Sequence, residues 1–178
     1  YDAEQYEEAV ENRFIGESES GKRSESNFSA LDYAGTIDFT NPDATHRYKK
    51  LIKELLDMGV VCIKTDFGED IHMNARYHNM EPEKLNNLYA LLYQKAAFEI
   101  TKEVTGDGIV WARAGWAGCQ RYPVHWGGDA ASSWDGMAGS LKGGLHLGLS
   151  GFAFWSHDVP GFHGVPDFMN SEIGRAHV

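Results

Sequence analysis

Apolar positions recur along this chain with two different periods. Tyr48, Leu51, Ile52 and Leu55 fall at i, i+3, i+4 and i+7, one face of a helix. Asn41-Pro42 ahead of them supplies an N-cap and a first-turn proline, and Gly59 closes the segment. A longer helix is predicted over 83–104, with Leu85, Leu88, Leu92 and Ala96 on one side and Gly106 near its end. A third is capped by Ser132 or Ser133 and carries Trp134, Met137, Leu141 and Leu145 on one side. Short β-rich runs at 35–39, 60–63, 109–112, 123–126 and 151–155 alternate with these helices. The run Val60-Val61-Cys62-Ile63 is continuously apolar, as parallel strands are when both faces are covered, so Cys62 reads as a small buried hydrophobe.

Strands alternating with helices predict an α/β fold built on a parallel sheet. Polar residues gather just after the strands: Lys64-Thr65-Asp66-Phe67-Gly68-Glu69, then Arg113, then Gly127-Gly128-Asp129, then Ser156-His157-Asp158. The carboxyl ends of parallel strands are where such folds carry chemistry. A closed eight-stranded barrel needs about 250 residues. This chain has 178, so the pattern predicts the middle of a barrel.

Composition narrows the partners. With 42% apolar and 12% aromatic residues the chain can bury one core, and its length leaves little room for a second domain. A formal net charge of −10 argues against nucleic acid and anionic membrane as partners but leaves neutral substrates open. No apolar run approaches the roughly 20 residues of a membrane span. Two cysteines, Cys62 and Cys119, cannot build a multi-bridge framework or a paired zinc motif; they leave the compartment unresolved, with the cytoplasm favoured. Residues 1–33 read as an acidic surface segment leading into the barrel, with a short helix around Glu4 to Val10. Residues 172–178 are expected to be a non-native tail, because Ile173 to Val178 resembles a translated sequencing adaptor; this leaves 34–171 as the catalytic unit.

Two carboxylates stand out. Lys64 and Asp66 are two apart at a strand end and share a face, and a nearby ammonium favours the ionised carboxylate that a nucleophile must be. Asp129 follows Trp126 and two glycines, where an aromatic wall excluding water would keep it protonated as a general acid. One charged and one neutral carboxyl is the division of labour of glycoside hydrolysis. Spacing alone leaves structural ion pairs with Lys64 and Arg113 as the competing reading.

Whole segments add to this. IKTDFGE at 63–69, PVHWGGD at 123–129, LSGFAFWSHD at 149–158 and IDFTNPDA at 37–44 together resemble glycoside hydrolase family 31, in particular its α-xylosidase-like branch, over 34–170. The resemblance implies a partial (β/α)8 TIM barrel, approximately strands three to seven, with Asp66 as nucleophile and Asp129 as acid/base. It implies that Lys64, Phe67, Arg113, Trp126 and Phe154 line the pocket for the non-reducing sugar. The implied activity is retaining release of terminal α-linked xylose from an oligosaccharide or glycoside, with no metal or other cofactor. An α-glucosidase or α-transglycosylase of the same family is the alternative, and a non-catalytic carbohydrate binder is the alternative of another class. An oligomer of the full-length parent is left open. Pocket residues of the family's first and last strands have no counterpart here, so this segment alone is expected to be inactive.

Other conspicuous residues have plainer expectations. Trp111 and Trp134 read as core from their strand and helix positions, and Trp116 as the wall of a leaving-group subsite. His157-Asp158 lacks a third metal ligand and reads as supporting hydrogen bonding. Gly143-Gly144 reads as close helix packing.

Overall fold

The computed structural model describes residues 3–18 and 35–164. About half of the acidic segment and the whole 172–178 tail lie outside the described residues. Helix α1 (Ala3–Glu11) contains the short helix expected near the start, burying Tyr6 and Ala9 against Ile15. Glu8 on α1 receives both Nε and Nη2 of Arg47, at 2.8 and 2.6 Å, which ties α1 to the second helix.

Helix α2 (Pro42–Asp57) starts where Asn41 predicts it: its side chain accepts from the Asp43 amide at 2.9 Å and donates to the Arg13 carbonyl at 3.1 Å. Its buried line differs from the expected stripe. Ala44 and Leu56 are buried and Ile52 packs beside Leu56, whereas Leu55 is exposed. The contact with the long helix α3 (Pro82–Thr105) selects an i, i+4 line through Tyr48, Ile52 and Leu56, one step round from Leu51 and Leu55. Helix α3 ends on Gly106 at φ 86°, the left-handed cap that glycine adopts without strain.

Four parallel strands form the sheet in the order β2 (Ile63–Thr65), β4 (Val110–Ala112), β5 (His125–Trp126) and β6 (Trp155–Ser156). Register runs Thr65↔Ala112↔His125↔Trp155 across it. These four residues share one face, turned toward α3 and helix α4 (Trp134–Leu149). The other face carries Lys64 and Trp111, both exposed, and the buried Trp126, which packs on them. The segment from β2 to β4 crosses through α3 and that from β5 to β6 through α4; β4 and β5 are joined by a single 3₁₀ turn, Cys119–Arg121. The result is an α/β arc with its helices on one side.

The structure corrects several expectations. Residues 35–39 do not join the parallel sheet: Ile37 bridges antiparallel to Ile15, beside a small antiparallel pair of β1 (Glu17–Ser18) and β3 (Ala75–Arg76) that the hydrophobic pattern did not reveal. Val61 is 71% exposed and Cys62 is exposed, because β2 starts only at Ile63 and is the edge strand. Trp111 and Trp134 are not core. Trp111, on the sheet face opposite the helices, is 37% exposed, and α4 turns its glycine face rather than its Trp134-Leu141-Leu145 flank toward the sheet. Gly144 is the reason: a Cβ there would lie 1.5 Å from the Trp155 ring, so the helix approaches as closely as a hydrogen atom allows. Close packing was the expectation for this glycine.

Candidate active site

The strand ends place the predicted residues around one guanidinium. Arg113 follows β4, and its amide donates to the Thr65 carbonyl at 3.1 Å, which fixes where its side chain leaves the sheet. From there Nη1 reaches Asp66 Oδ1 at 2.9 Å and Asp129 Oδ2 at 3.5 Å. On the opposite edge Nε and Nη2 donate to the two oxygens of Glu69 at 2.6 and 3.2 Å. Burial alone would loosen the Arg113 proton, but the surrounding Glu69, Asp66 and Asp129 carboxylates outweigh it and hold the guanidinium above its ordinary value.

Asp66 is held by its own loop. The Phe67 amide donates to Asp66 Oδ1 at 2.9 Å, and the Tyr93 hydroxyl of α3 donates to the Asp66 carbonyl at 3.2 Å. Burial pushes the Tyr93 phenol up to about 12, so this donor keeps its proton throughout the ordinary pH range. The chain then turns through Phe67 and Gly68, both with left-handed φ (57° and 89°). That brings the Phe67 ring onto the guanidinium, 4.2 Å from Cζ to the ring centroid.

Lys64 does not serve Asp66 as expected. Its ammonium sits over the indole of Trp126 at 4.2 Å and that of Trp111 at 5.1 Å, so the cation that pairs with Asp66 is Arg113. Nor is Asp129 desolvated by Trp126, since its side chain is 44% exposed and faces Arg113 across the loop.

Phe67, Glu69, Arg113, Trp126 and Asp129 line an open cavity of about 870 Å³ that extends along the glycine face of α4. Asp66 joins this group through Arg113. Phe154 and Trp116, both well exposed, are not among the lining residues. His157 stacks on Trp155, and Asp158 Oδ2 is buried without a hydrogen-bond partner among the described residues. No group of three or more His, Cys, Asp or Glu side chains among the described residues could hold a metal ion. No helix among them is long and apolar enough to cross a membrane.

Glu69 and Tyr93 escaped the reading of the sequence. Glu69 lies inside the IKTDFGE segment, three residues beyond Asp66, where two successive left-handed residues return it to Arg113. Nothing in the hydrophobic period of α3 singled out the Tyr93 hydroxyl.

Comparison with known proteins supplies the context for this arrangement. Residues 1–173 match the model of the glycosyl hydrolases family 31 TIM-barrel domain. The chain is 46% identical over 134 residues to an alpha-xylosidase of Emericella nidulans, covering 73% of this chain and 17% of that protein. It is 38% identical over 148 residues to the alpha-xylosidase XylQ of Lactiplantibacillus pentosus, covering 78% of this chain and 19% of the relative. Among solved structures, a GH31 family sulfoquinovosidase from E. rectale in complex with an aza-sugar inhibitor superimposes with a TM-score of 0.80 at 28% identity, covering 92% of this chain and 26% of that one. The chain thus spans about a fifth of the length of the two alpha-xylosidases.

Proposed function

The chain belongs to glycosyl hydrolase family 31, as part of its TIM-barrel domain, and from that premise we propose that the parent protein hydrolyses terminal α-linked sugars with retention of configuration. Asp66 is the nucleophile and Asp129 the acid/base. One observation carries this reading: a single nitrogen of Arg113 touches both carboxylates, at 2.9 and 3.5 Å, so Asp66 Oδ1 and Asp129 Oδ2 are separated by no more than the sum of the two, about 6.4 Å. That limit is compatible with the roughly 5 to 5.5 Å carboxyl separation of retaining enzymes.

In the first step the ionised Asp66 attacks the anomeric carbon, the glycosidic bond breaks, and Asp129 delivers its proton to the departing oxygen. In the second, Asp129 as carboxylate takes a proton from water, whose oxygen displaces Asp66 from the anomeric carbon. Arg113 is suited to steady the charge that passes between the two acids, because it contacts both. Phe67 offers an exposed apolar face to the sugar ring, while Trp126, almost fully buried, lines the cavity and holds the Lys64 ammonium against its ring. Phe154, immediately before β6, completes the proposed binding set, although it lies apart from the cavity walls.

Similarity to two alpha-xylosidases favours a terminal α-xyloside as substrate. A more distant Escherichia coli sulfoquinovosidase, 29% identical over 164 residues, keeps other α-glycosides in view. The test is turnover of aryl α-xyloside, α-glucoside and α-sulfoquinovoside by the full-length parent. Xyloside is expected to be the best substrate. Asp66→Asn is expected to abolish turnover, and Asp129→Asn to lower it about a hundredfold or more. A parent that binds these sugars without cleaving any would favour a carbohydrate-binding role instead; unchanged rates in either variant would remove that residue from the mechanism.

A further inference from the structure

The geometry points to Glu69 as a positioning residue for this reaction, acting on the two acids through Arg113; the inference rests on the roles proposed above for Asp66 and Asp129. A guanidinium is planar, and its Nε–H and outer Nη2–H form one two-pronged edge that matches a carboxylate. Glu69 occupies that edge, with Oε1 2.6 Å from Nε and Oε2 3.2 Å from Nη2. Two bonds along one edge fix the plane and its rotation. The position of the remaining Nη1 is then no longer free, and it lies 2.9 Å from Asp66 Oδ1 and 3.5 Å from Asp129 Oδ2.

Three further contacts hold the same unit. The Phe67 ring covers one face of the guanidinium. Gly128, at φ 73°, lets the loop bearing Asp129 lie on the Arg113 stem, where a Cβ would sit 3.2 Å from Cδ. Gly68, at φ 89° and so close to the Tyr93 ring that a Cβ would sit 2.7 Å from it, returns the chain so that Glu69 faces Arg113 instead of solvent. As a plain surface ion pair Glu69 would contribute little, since its side chain is 45% exposed. Its position on the cavity wall beside both acids gives the pair a different use.

The acids facing Arg113 are Asp66, Glu69 and Asp129, and Lys64 is occupied by the indoles. Removing the Glu69 charge therefore does two things. The guanidinium loses its anchored edge, and its whole charge falls on the two remaining carboxylates, which stabilises their ionised forms.

The experiment uses the full-length parent with an aryl α-xyloside, comparing Glu69→Gln, Glu69→Asp, Arg113→Lys, the double variant Glu69→Gln/Arg113→Lys, and Asp66→Asn as reference. Misorientation of the reacting groups predicts that Glu69→Gln lowers kcat about a hundredfold with little change in KM. Both limbs of its pH–rate profile move to lower pH. Glu69→Asp keeps the charge but cannot span both nitrogens, so kcat falls while the limbs stay in place; this variant carries the test if Glu69→Gln does not fold. The double variant is no slower than Arg113→Lys alone, since Glu69 acts through that arginine. An unchanged kcat in both Glu69 variants, or losses that multiply independently in the double variant, would overturn the inference while Asp66→Asn remains inactive. Turnover surviving in Asp66→Asn would instead overturn the assignment of the acid pair, and the positioning role with it.

Discussion

His125 shows how a residue with no legible role becomes intelligible once its surroundings are known. It is 3% exposed, its ring meets Phe152 edge-on at 4.8 Å, and its Nε2 has no hydrogen-bond partner among the described residues. Burial pushes the imidazole below its ordinary value, so the folded chain holds it neutral. As pH falls below about 6.5, the unfolded chain takes up a proton that the folded one refuses, and stability drops until the depressed folded value is reached. Burial lowers His72 in the same direction and adds to the effect. His125→Phe is therefore expected to flatten the loss of stability between about pH 7.5 and pH 5.5, read as the shift in urea midpoint of the parent protein. A midpoint that moves as much in the variant would show that His125 does not drive it. Asp66, Asp129 and Arg113 were legible as a residue pattern, and ion pairs with Lys64 and Arg113 were the competing reading, but which cation takes Asp66 was not legible. The neighbouring Lys64 was the obvious partner in sequence, yet Arg113, 47 positions from Asp66, is the one in contact.

At the scale of elements, local signals located the helices well and their faces poorly. The start of α2 follows from chemistry within three residues, because the Asn41 side chain satisfies an amide of the first turn. Asn41→Ala removes that bond and the one to Arg13, and is expected to destabilise the protein by about 1 to 2 kcal/mol in denaturant titration. A loss below a few tenths of a kcal/mol would mean that water replaces the cap. Which face of α4 is inward could not be read in the same way. Its leucines suggested one stripe, but the width of Trp155 on β6 requires the closest approach, and only the glycine line permits it. Gly144→Ala leaves no space for the methyl group without displacing the indole. Overpacking of this kind is expected to lower stability by about 1 to 3 kcal/mol, or to leave the Trp155 emission changed if the ring moves instead. An unshifted midpoint together with an unchanged spectrum would contradict the packing described.

At the scale of the molecule, the sheet presents an open arc. Among the described residues β2 and β6 are its two edges, and Val61, Leu149, Phe154 and Phe162 are more than half exposed beside or between them. Unpaired strand edges next to apolar surface favour pairing with other chains. Residues 1–178 produced alone are expected to self-associate in analytical ultracentrifugation; a stable monomer across micromolar concentrations would count against this. The amino-acid order by itself determined the alternation of strands and helices, the helix caps and the position of each acid just beyond a strand. Those features depend on contacts within a few residues, where period and cap chemistry act directly. Only the tertiary structure decided that 35–39 leaves the parallel sheet, that β2 is an edge with Cys62 exposed, and that one arginine gathers three carboxylates from two separate loops. Those outcomes depend on which surfaces meet across the fold, and a side chain's partner there is set by strand register and helix approach rather than by its neighbours along the chain.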